Sequence, residues 1–148
     1  MLNGKVAVVT GANRGIGWAT VQKFAEHHAC IWACARRQTE EFEKNIKTLS
    51  EKYATKIHLL YFDVTDADAV KKAVKTIGNS QKRIDVLVNN AGVSVEQLFS
   101  MTTIKVIEDC MYTNFMSQVQ LAQLVSRYMM KNREGAIINV ASVAGMEA

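Results

Sequence analysis

Apolar runs alternate with amphipathic stretches along this sequence, and no other feature constrains the fold as strongly. The five runs are KVAVVT, CIWACA, KIHLLYFDV, IDVLVNNAG and AIINVAS. The first is short and β-branched, as is typical of a strand buried on both faces of a sheet. Strands that alternate with helices form right-handed β-α-β units. We therefore predict an α/β fold in which a doubly wound parallel sheet of five strands is joined by four or five helices.

The helical stretches differ in how clearly their ends are marked. Their approximate limits are 16–28, 39–54, 65–78 and 102–131. In the third, Thr65 or Asp66 can cap the start, Val70 and Val74 lie on one helical face, and Gly78 is expected to end the helix.

Length and composition favour a single domain. The chain has 148 residues, of which 49% are hydrophobic and 22% charged, with no linker, repeat or low-complexity segment. We therefore treat residues 1–148 as one domain. The net charge of +4 comes from scattered lysines and arginines without a like-charge run or an aromatic platform, so no nucleic-acid partner is expected.

The sequence also indicates the cellular compartment and whether a metal site is expected. No segment reaches the roughly 18 apolar residues of a membrane span, and the first predicted strand begins almost at Met1. We expect a soluble, cytoplasmic protein with no membrane partner. Cys30, Cys34 and Cys110 are odd in number and lack zinc-ligand spacing, so free thiols and no metal site are expected.

A glycine-rich turn, TGANRGIG, follows the first predicted strand and precedes the first helix. Glycines there permit positive φ and bring backbone N–H groups close to a pyrophosphate. The spacing of Gly11, Gly15 and Gly17 is G-x-x-x-G-x-G, which differs from the dinucleotide fingerprint G-x-G-x-x-G. A tight structural turn is the alternative, but the flanking strand and helix favour phosphate binding.

Together, TGANRGIG, NNAG and NVAS resemble the short-chain dehydrogenase/reductase family over the entire chain. The resemblance implies a Rossmann-type sheet, truncated here after its fifth strand, and an oxidoreductase that uses NAD(P)(H). It assigns the glycine turn to the diphosphate, one acid and its neighbour to adenine, and the NAG segment to the adenosine ribose. The residues concerned are Gly11, Asn13, Arg14, Gly15, Ile16, Gly17, Asp63, Val64, Asn90, Ala91 and Gly92. Asn89 is expected to support the sheet instead.

The end of the second strand indicates the type of cofactor. An enzyme that uses NAD places an acid there, whereas one that uses NADP places an arginine for the 2'-phosphate. The sequence has Arg36 and Arg37 at this point, and Arg14 can approach the same phosphate. Glu40 and Glu41 come too late to be the ribose acid. We predict NADP(H), with a solvated face as the alternative for the arginines.

The same resemblance implies two catalytic residues. Ser142, at the end of the fifth strand, matches the serine that hydrogen-bonds the substrate carbonyl, and Asn114 matches the asparagine that anchors a water of the proton relay. The alternative for Asn114 is a polar residue that bends a long helix. The family's tyrosine and lysine occur as Tyr-x-x-x-Lys after the serine, and no such motif follows Ser142 here. We expect a part of a longer enzyme, with a natural truncation as the alternative.

The resulting prediction is an NADP(H)-dependent reductase acting on a small-molecule carbonyl or alcohol substrate. Within the family, MMKNREGAIINVASVAG is most similar to 3-oxoacyl-thioester reductases. Members commonly form homodimers or homotetramers through the long helix, which lies at 102–131 here. The alternative is a non-catalytic NADP(H)-binding or scaffold module.

Overall fold

The computed structural model describes residues 1–143, and in this range five parallel strands form one sheet in the order β3-β2-β1-β4-β5. The strands are β1 (Val6–Thr10), β2 (Cys30–Ala35), β3 (Ile57–Tyr61), β4 (Val86–Asn89) and β5 (Ala136–Asn139). The helices are α1 (Gly15–Glu26), α2 (Glu40–Tyr53), α3 (Ala67–Gln81), α4 (Ile104–Met111) and α5 (Ser117–Asn132). The predicted doubly wound α/β fold is confirmed.

The order of the strands determines where a ligand can enter. The chain moves outward from β1 through β2 to β3, then crosses back to place β4 on the other side of β1. Loops therefore diverge from the carboxyl ends of β1 and β4. In open α/β sheets this switch point is where ligands bind.

Two layers of helices bury the two faces of the sheet. The helices α1 and α2 cover one face, to which β1 contributes Ala7 and Val9. The helices α3 and α5 cover the other, to which β1 contributes Val6 and Val8. All five residues of β1 are buried, which explains why this run is apolar without polar alternation.

Gly78 does not end α3, contrary to the prediction, because the helix continues to Gln81. The glycine is buried in the helix, and a Cβ added to it would overlap the ring of Tyr128 on α5. The helix ends instead at Lys82, whose φ of 59° is left-handed. Gly78 therefore allows α3 and α5 to pack closely and does not terminate α3.

The predicted helix at 102–131 has the expected extent but is not regular. A π-helical turn, Tyr112–Met116, separates α4 from α5, and Asn114 lies at its centre. Such widened turns occur frequently at functional sites. Within residues 1–143, no helix has the length and apolar character that crossing a bilayer requires.

Candidate dinucleotide-binding site

A cleft of about 670 Å³ opens at the carboxyl edge of the sheet, at the switch point. Its walls come from the loops that follow β1, β2, β3 and β4 and from the π turn. All but one of the predicted cofactor-binding residues line it: Gly11, Asn13, Arg14, Gly15, Ile16, Arg36, Arg37, Asp63, Val64, Asn90, Ala91 and Gly92. The fold thus brings together residues that lie up to 81 positions apart in the sequence.

The remaining predicted residue, Gly17, lies beneath the cleft. It is buried in α1, and a Cβ at this position would overlap the carbonyl oxygen of Gly11 and the side chain of Asn90. Gly11 itself has a φ of +62°, in the left-handed region that favours glycine. These two glycines allow α1 to begin close against the ends of β1 and β4.

Within residues 1–143, no side chain caps the backbone N–H groups at the start of α1. Arg14, the residue before the helix, makes no capping hydrogen bond, whereas Thr39 caps α2 and Asp66 caps α3. N–H groups of a first helical turn carry partial positive charge. Because Gly15 and Ile16 line the cleft, this turn is suited to an anion such as a diphosphate.

Three arginines add positive charge to the cleft. Arg14, Arg36 and Arg37 are exposed, and none forms an ion pair in the range 1–143. Glu40 and Glu41 lie in the first turn of α2 and are not among the lining residues. The end of β2 therefore presents cations to the cleft, and the acids of the first turn of α2 do not line it.

Asp63 provides an acceptor in the loop that follows β3, the strand beside β2. Its Oδ1 accepts hydrogen bonds from the backbone N–H and the hydroxyl of Thr65, at 2.9 and 2.7 Å. These bonds, with a smaller contribution from the charge of Arg36, lower the pKa of Asp63 below its ordinary value. The group is therefore a carboxylate at neutral pH, and its Oδ2 can accept from an amino group of a ligand.

Thr10 organises the switch point and was not among the predicted site residues. Its hydroxyl oxygen accepts from the N–H groups of Asn90 and Ala91, each at 3.0 Å, and its hydroxyl donates to the oxygen of Val88. In return, the amide of Asn90 donates to the carbonyl oxygens of Thr10 and Gly11. The side chain of Asn90 thus ties β4 to β1. The available signal was a hydroxyl residue at the end of an otherwise apolar run.

Asn114 connects the π turn to the loop after β4. Its Oδ1 accepts from the N–H of Val93 and its Nδ2 donates to the oxygen of Val93, both at 2.8 Å. Asn114 does not line the cleft, but Val93, Tyr112 and Thr113 do. Tyr112 was not among the predicted site residues, because regular helical spacing gives no sign of a widened turn. The asparagine both occupies the irregular turn and fixes one wall of the cleft.

Ser142 follows β5 at the same edge of the sheet but is not among the residues that line the cleft. The expected supporting role of Asn89 is confirmed, since its buried amide donates to the side-chain oxygen of Asn139 on β5 at 2.9 Å. The three cysteines are free thiols, as predicted. Burial raises the pKa of Cys34 to about 12, so this thiol is not a nucleophile.

Comparison with known proteins agrees with this arrangement. A family model described as short chain dehydrogenase matches residues 5–148. The 3-oxoacyl-[acyl-carrier-protein] reductase FabG of Vibrio harveyi is 36% identical over 144 residues, which cover 97% of this chain and 57% of that protein. The chain spans about half the length of the curated relatives that it matches.

Solved structures show the same fold with either nicotinamide cofactor. The L-sorbose reductase of Gluconobacter frateurii, complexed with NADPH and L-sorbose, is 30% identical with a TM-score of 0.92, covering 99% of this chain and 55% of that one. The carveol dehydrogenase of Mycobacterium avium, in complex with NAD, is 26% identical with a TM-score of 0.89, covering 99% and 57%.

Proposed function

Because the chain belongs to the short chain dehydrogenase family, we propose that the protein is an NADP(H)-dependent oxidoreductase acting on a carbonyl or alcohol substrate. The nicotinamide supplies or accepts the hydride when the cofactor is bound. The cofactor choice rests on Arg36 and Arg37, which line the cleft at the end of β2. An arginine there recognises a 2'-phosphate, whereas an acid would recognise the free ribose hydroxyl.

The residues of the cleft fit the other parts of a dinucleotide. The uncapped first turn of α1, at Gly15, can bind the diphosphate through backbone N–H groups. Arg14 and Arg36 can share the 2'-phosphate through bidentate hydrogen bonds. The carboxylate of Asp63 can accept from the adenine amino group, since its pKa is lowered.

The chemical role proposed for Ser142 is to donate a hydrogen bond to the substrate carbonyl oxygen while negative charge develops there. Asn114 is proposed to anchor a water that relays protons. A protonating group must complete such a site, and no Tyr-x-x-x-Lys motif follows Ser142 in the 148 residues. We therefore propose that these residues alone bind nucleotide without reducing a carbonyl.

The substrate proposed first is a 3-oxoacyl thioester, because the relative from Vibrio harveyi is named as a 3-oxoacyl reductase. The second candidate function is a non-catalytic NADP(H)-binding or scaffold module, for which the cofactor cleft alone would be sufficient. Oxidation of NADPH with 3-oxoacyl thioesters and with simple ketones separates the two. Turnover supports the enzyme, whereas tight NADPH binding without turnover in the protein that carries this sequence supports the module.

Cofactor preference is tested by binding, which does not depend on turnover. Replacing Arg36 with Asp removes a charge-assisted contact of roughly 1.5 to 3 kcal/mol and adds repulsion. The ratio of the NADH and NADPH dissociation constants should fall by about 10- to 100-fold or reverse. Lys44→Asp, on the exposed face of α2, is the matched control and should leave the ratio unchanged. Equal affinity of the unaltered protein for both cofactors contradicts the proposal.

Catalysis is tested at Ser142, in a protein that shows reductase activity. Ser142→Ala should lower kcat by roughly 100-fold or more, the scale for losing one donor to a developing oxyanion. The dissociation constant for NADPH should barely change, because the serine is not part of the cleft lining. An unchanged kcat would make the serine structural.

A homodimer or homotetramer is also proposed. Large apolar side chains are exposed along α4, the π turn and the start of α5, and a concentration of exposed apolar side chains is typical of an interface. They are Ile104, Met111, Phe115, Met116 and Val119. Light scattering of the purified protein measures the mass, and a monomer at micromolar concentration would contradict this proposal.

A further inference from the structure

A second groove, distant in sequence from the glycine turn, lies between α3 and α5. It has a volume of about 340 Å³. It is lined by Lys71, Val74, Lys75, Leu124, Arg127, Tyr128 and Lys131. None of these residues lines the cofactor cleft, so the α3–α5 groove is a separate feature of the surface.

Helical spacing explains why apolar and cationic side chains meet there. On α3, Val74 and Lys75 lie three and four positions after Lys71, and on α5 the lining residues follow steps of three, four and seven from Leu124. Residues at these steps share one face of a helix. Val74 is buried while Lys71 and Lys75 are exposed, so the groove has an apolar floor and a cationic rim.

Tyr128 completes the floor because Gly78 gives it room. The tyrosine ring occupies the place that a Cβ of residue 78 would take. The ring is half-buried, as is Leu124 beside it. A glycine in the interior of α3, which weakens a helix relative to alanine, is thus explained by the position of this ring.

The rim is short of negative charge. Lys75, Arg127 and Lys131 form no ion pair within the part of the chain that the structure covers. Among the ion pairs of residues 1–143, Lys71 is the one cation of the rim with a partner, Asp68, at 3.2 Å. Like charges that surround an apolar floor repel one another, and a bound anion would relieve that repulsion.

We propose that the α3–α5 groove binds a single-chain amphiphile with an anionic head group, such as a medium-chain fatty carboxylate. The alkyl chain lies on Val74, Leu124 and Tyr128. The head group lies between Arg127 and Lys131, where the guanidinium can form a bidentate pair with a carboxylate.

The size of the groove favours an alkyl chain over an acidic helix of a partner protein. One turn of a helix about 10 Å across and 5.4 Å long occupies about 420 Å³. The groove, which is open to solvent and has a volume of about 340 Å³, can therefore hold only one side of such a turn, whereas it can hold a single alkyl chain. A narrow chain with one charged end matches both the volume and the separation of floor from rim.

The probe is decanoate, titrated calorimetrically below its micellar concentration into the purified protein. We expect saturable binding that tightens by about two- to fourfold for each added methylene from octanoate to dodecanoate. It should weaken as salt is raised. Decyltrimethylammonium, which has the same chain and the opposite charge, should not bind.

Two variants test the assignment. Arg127→Glu combined with Lys131→Glu should weaken decanoate binding by at least tenfold, and Leu124→Gln should reduce the dependence on chain length. Lys44→Glu combined with Lys47→Glu makes the same charge change on α2, outside the groove, and should have no effect. Circular dichroism checks that each variant is folded, and unchanged NADPH affinity separates this site from the cofactor cleft.

Other results overturn the proposal. These are absence of saturable decanoate binding, equal binding by the groove variant and the control, or binding confined to vesicles of anionic lipid. A doubling of mass that the groove variant abolishes would assign the face to a second copy of the chain instead.

Discussion

The two edges of the sheet carry similar charged residues and use them differently. At the amino edge, before β1, β4 and β5, every charged residue of one cluster is paired. The cluster consists of Lys5, Arg83, Asp85 and Glu134. At the carboxyl edge, Arg14, Arg36 and Arg37 face the cleft without ion pairs in residues 1–143.

The amino-edge cluster is built around a buried carboxylate. Asp85 is 3% exposed, accepts from the N–H of Val6 at 2.7 Å, and is paired with the guanidinium of Arg83. Glu134 pairs with Lys5 at 2.5 Å and with Arg83 at 3.6 Å. Burial alone would raise the pKa of Asp85, but the hydrogen bonds from Arg83 and Val6 outweigh it and the pKa is lowered.

This difference in ion pairing predicts that the charged residues at the amino edge contribute to stability and those at the carboxyl edge to ligand binding. A closed set of charges stabilises the folded chain and has little capacity left for a ligand, while unpaired charges contribute little to stability and remain available to a partner. We therefore expect substitutions at the amino edge to change unfolding, and substitutions at the carboxyl edge to change nucleotide affinity.

The largest effect is expected for Asp85→Ala. The N–H of Val6 and the guanidinium of Arg83 lose their acceptor, and the free energy of unfolding should fall by about 2 to 4 kcal/mol. Urea denaturation followed by circular dichroism measures it. The control Asp68→Ala removes an exposed acid and should change stability by less than about 1 kcal/mol. If Asp85→Ala lowered the free energy of unfolding no more than Asp68→Ala does, the two edges would not differ in their contribution to stability.

The opposite pattern is expected for Arg37→Ala at the carboxyl edge. The loss of one charge-assisted contact should weaken NADPH binding by roughly tenfold, equivalent to about 1.5 kcal/mol. The free energy of unfolding should stay within about 0.5 kcal/mol, because the side chain is exposed and forms no ion pair within residues 1–143. Fluorescence titration of NADPH and urea denaturation, compared in one buffer, decide this. If Arg37→Ala lowered the free energy of unfolding and left NADPH affinity unchanged, the carboxyl edge would contribute to stability rather than to nucleotide binding.

As the pH is lowered, the contribution of Asp85 at the amino edge to the free energy of unfolding should decrease gradually. The pKa of Asp85 is lowered in the folded chain, so its contribution is complete above the ordinary pKa of about 4 and is lost as pH falls through the folded value. The free energy of unfolding should therefore decline below about pH 4, and Asp85→Asn should decline less steeply over the same range. Parallel curves for the two proteins would show that other acids dominate.

The local patterns of the sequence were sufficient for the architecture and for most of the residues that line the cleft. Five apolar runs and the stretches between them specified the strands, because a strand buried on both faces needs apolar residues at every position. The glycine turn, Asp63 and the arginines after β2 were identified from motifs, since each motif occupies a strand end and the ends of parallel strands meet at one edge.

Only the tertiary structure decided how distant residues are paired. Thr10 with Asn90, Val6 with Asp85 and Val93 with Asn114 are hydrogen-bonded across 80, 79 and 21 positions. Nothing in the local sequence distinguishes such a residue from a solvated one, because its role depends on which elements become neighbours.

Gly78 shows most clearly the difference between what the local sequence predicts and what the tertiary structure decides. By itself a glycine after an apolar helical face indicates a helix end, and that prediction was wrong. The ring of Tyr128, 50 positions away, sets its role by occupying the space beside it. Helix spacing and strand character are properties of neighbouring residues and can be inferred from sequence. The space beside a glycine, and the groove formed between two helices, exist only once those helices have packed.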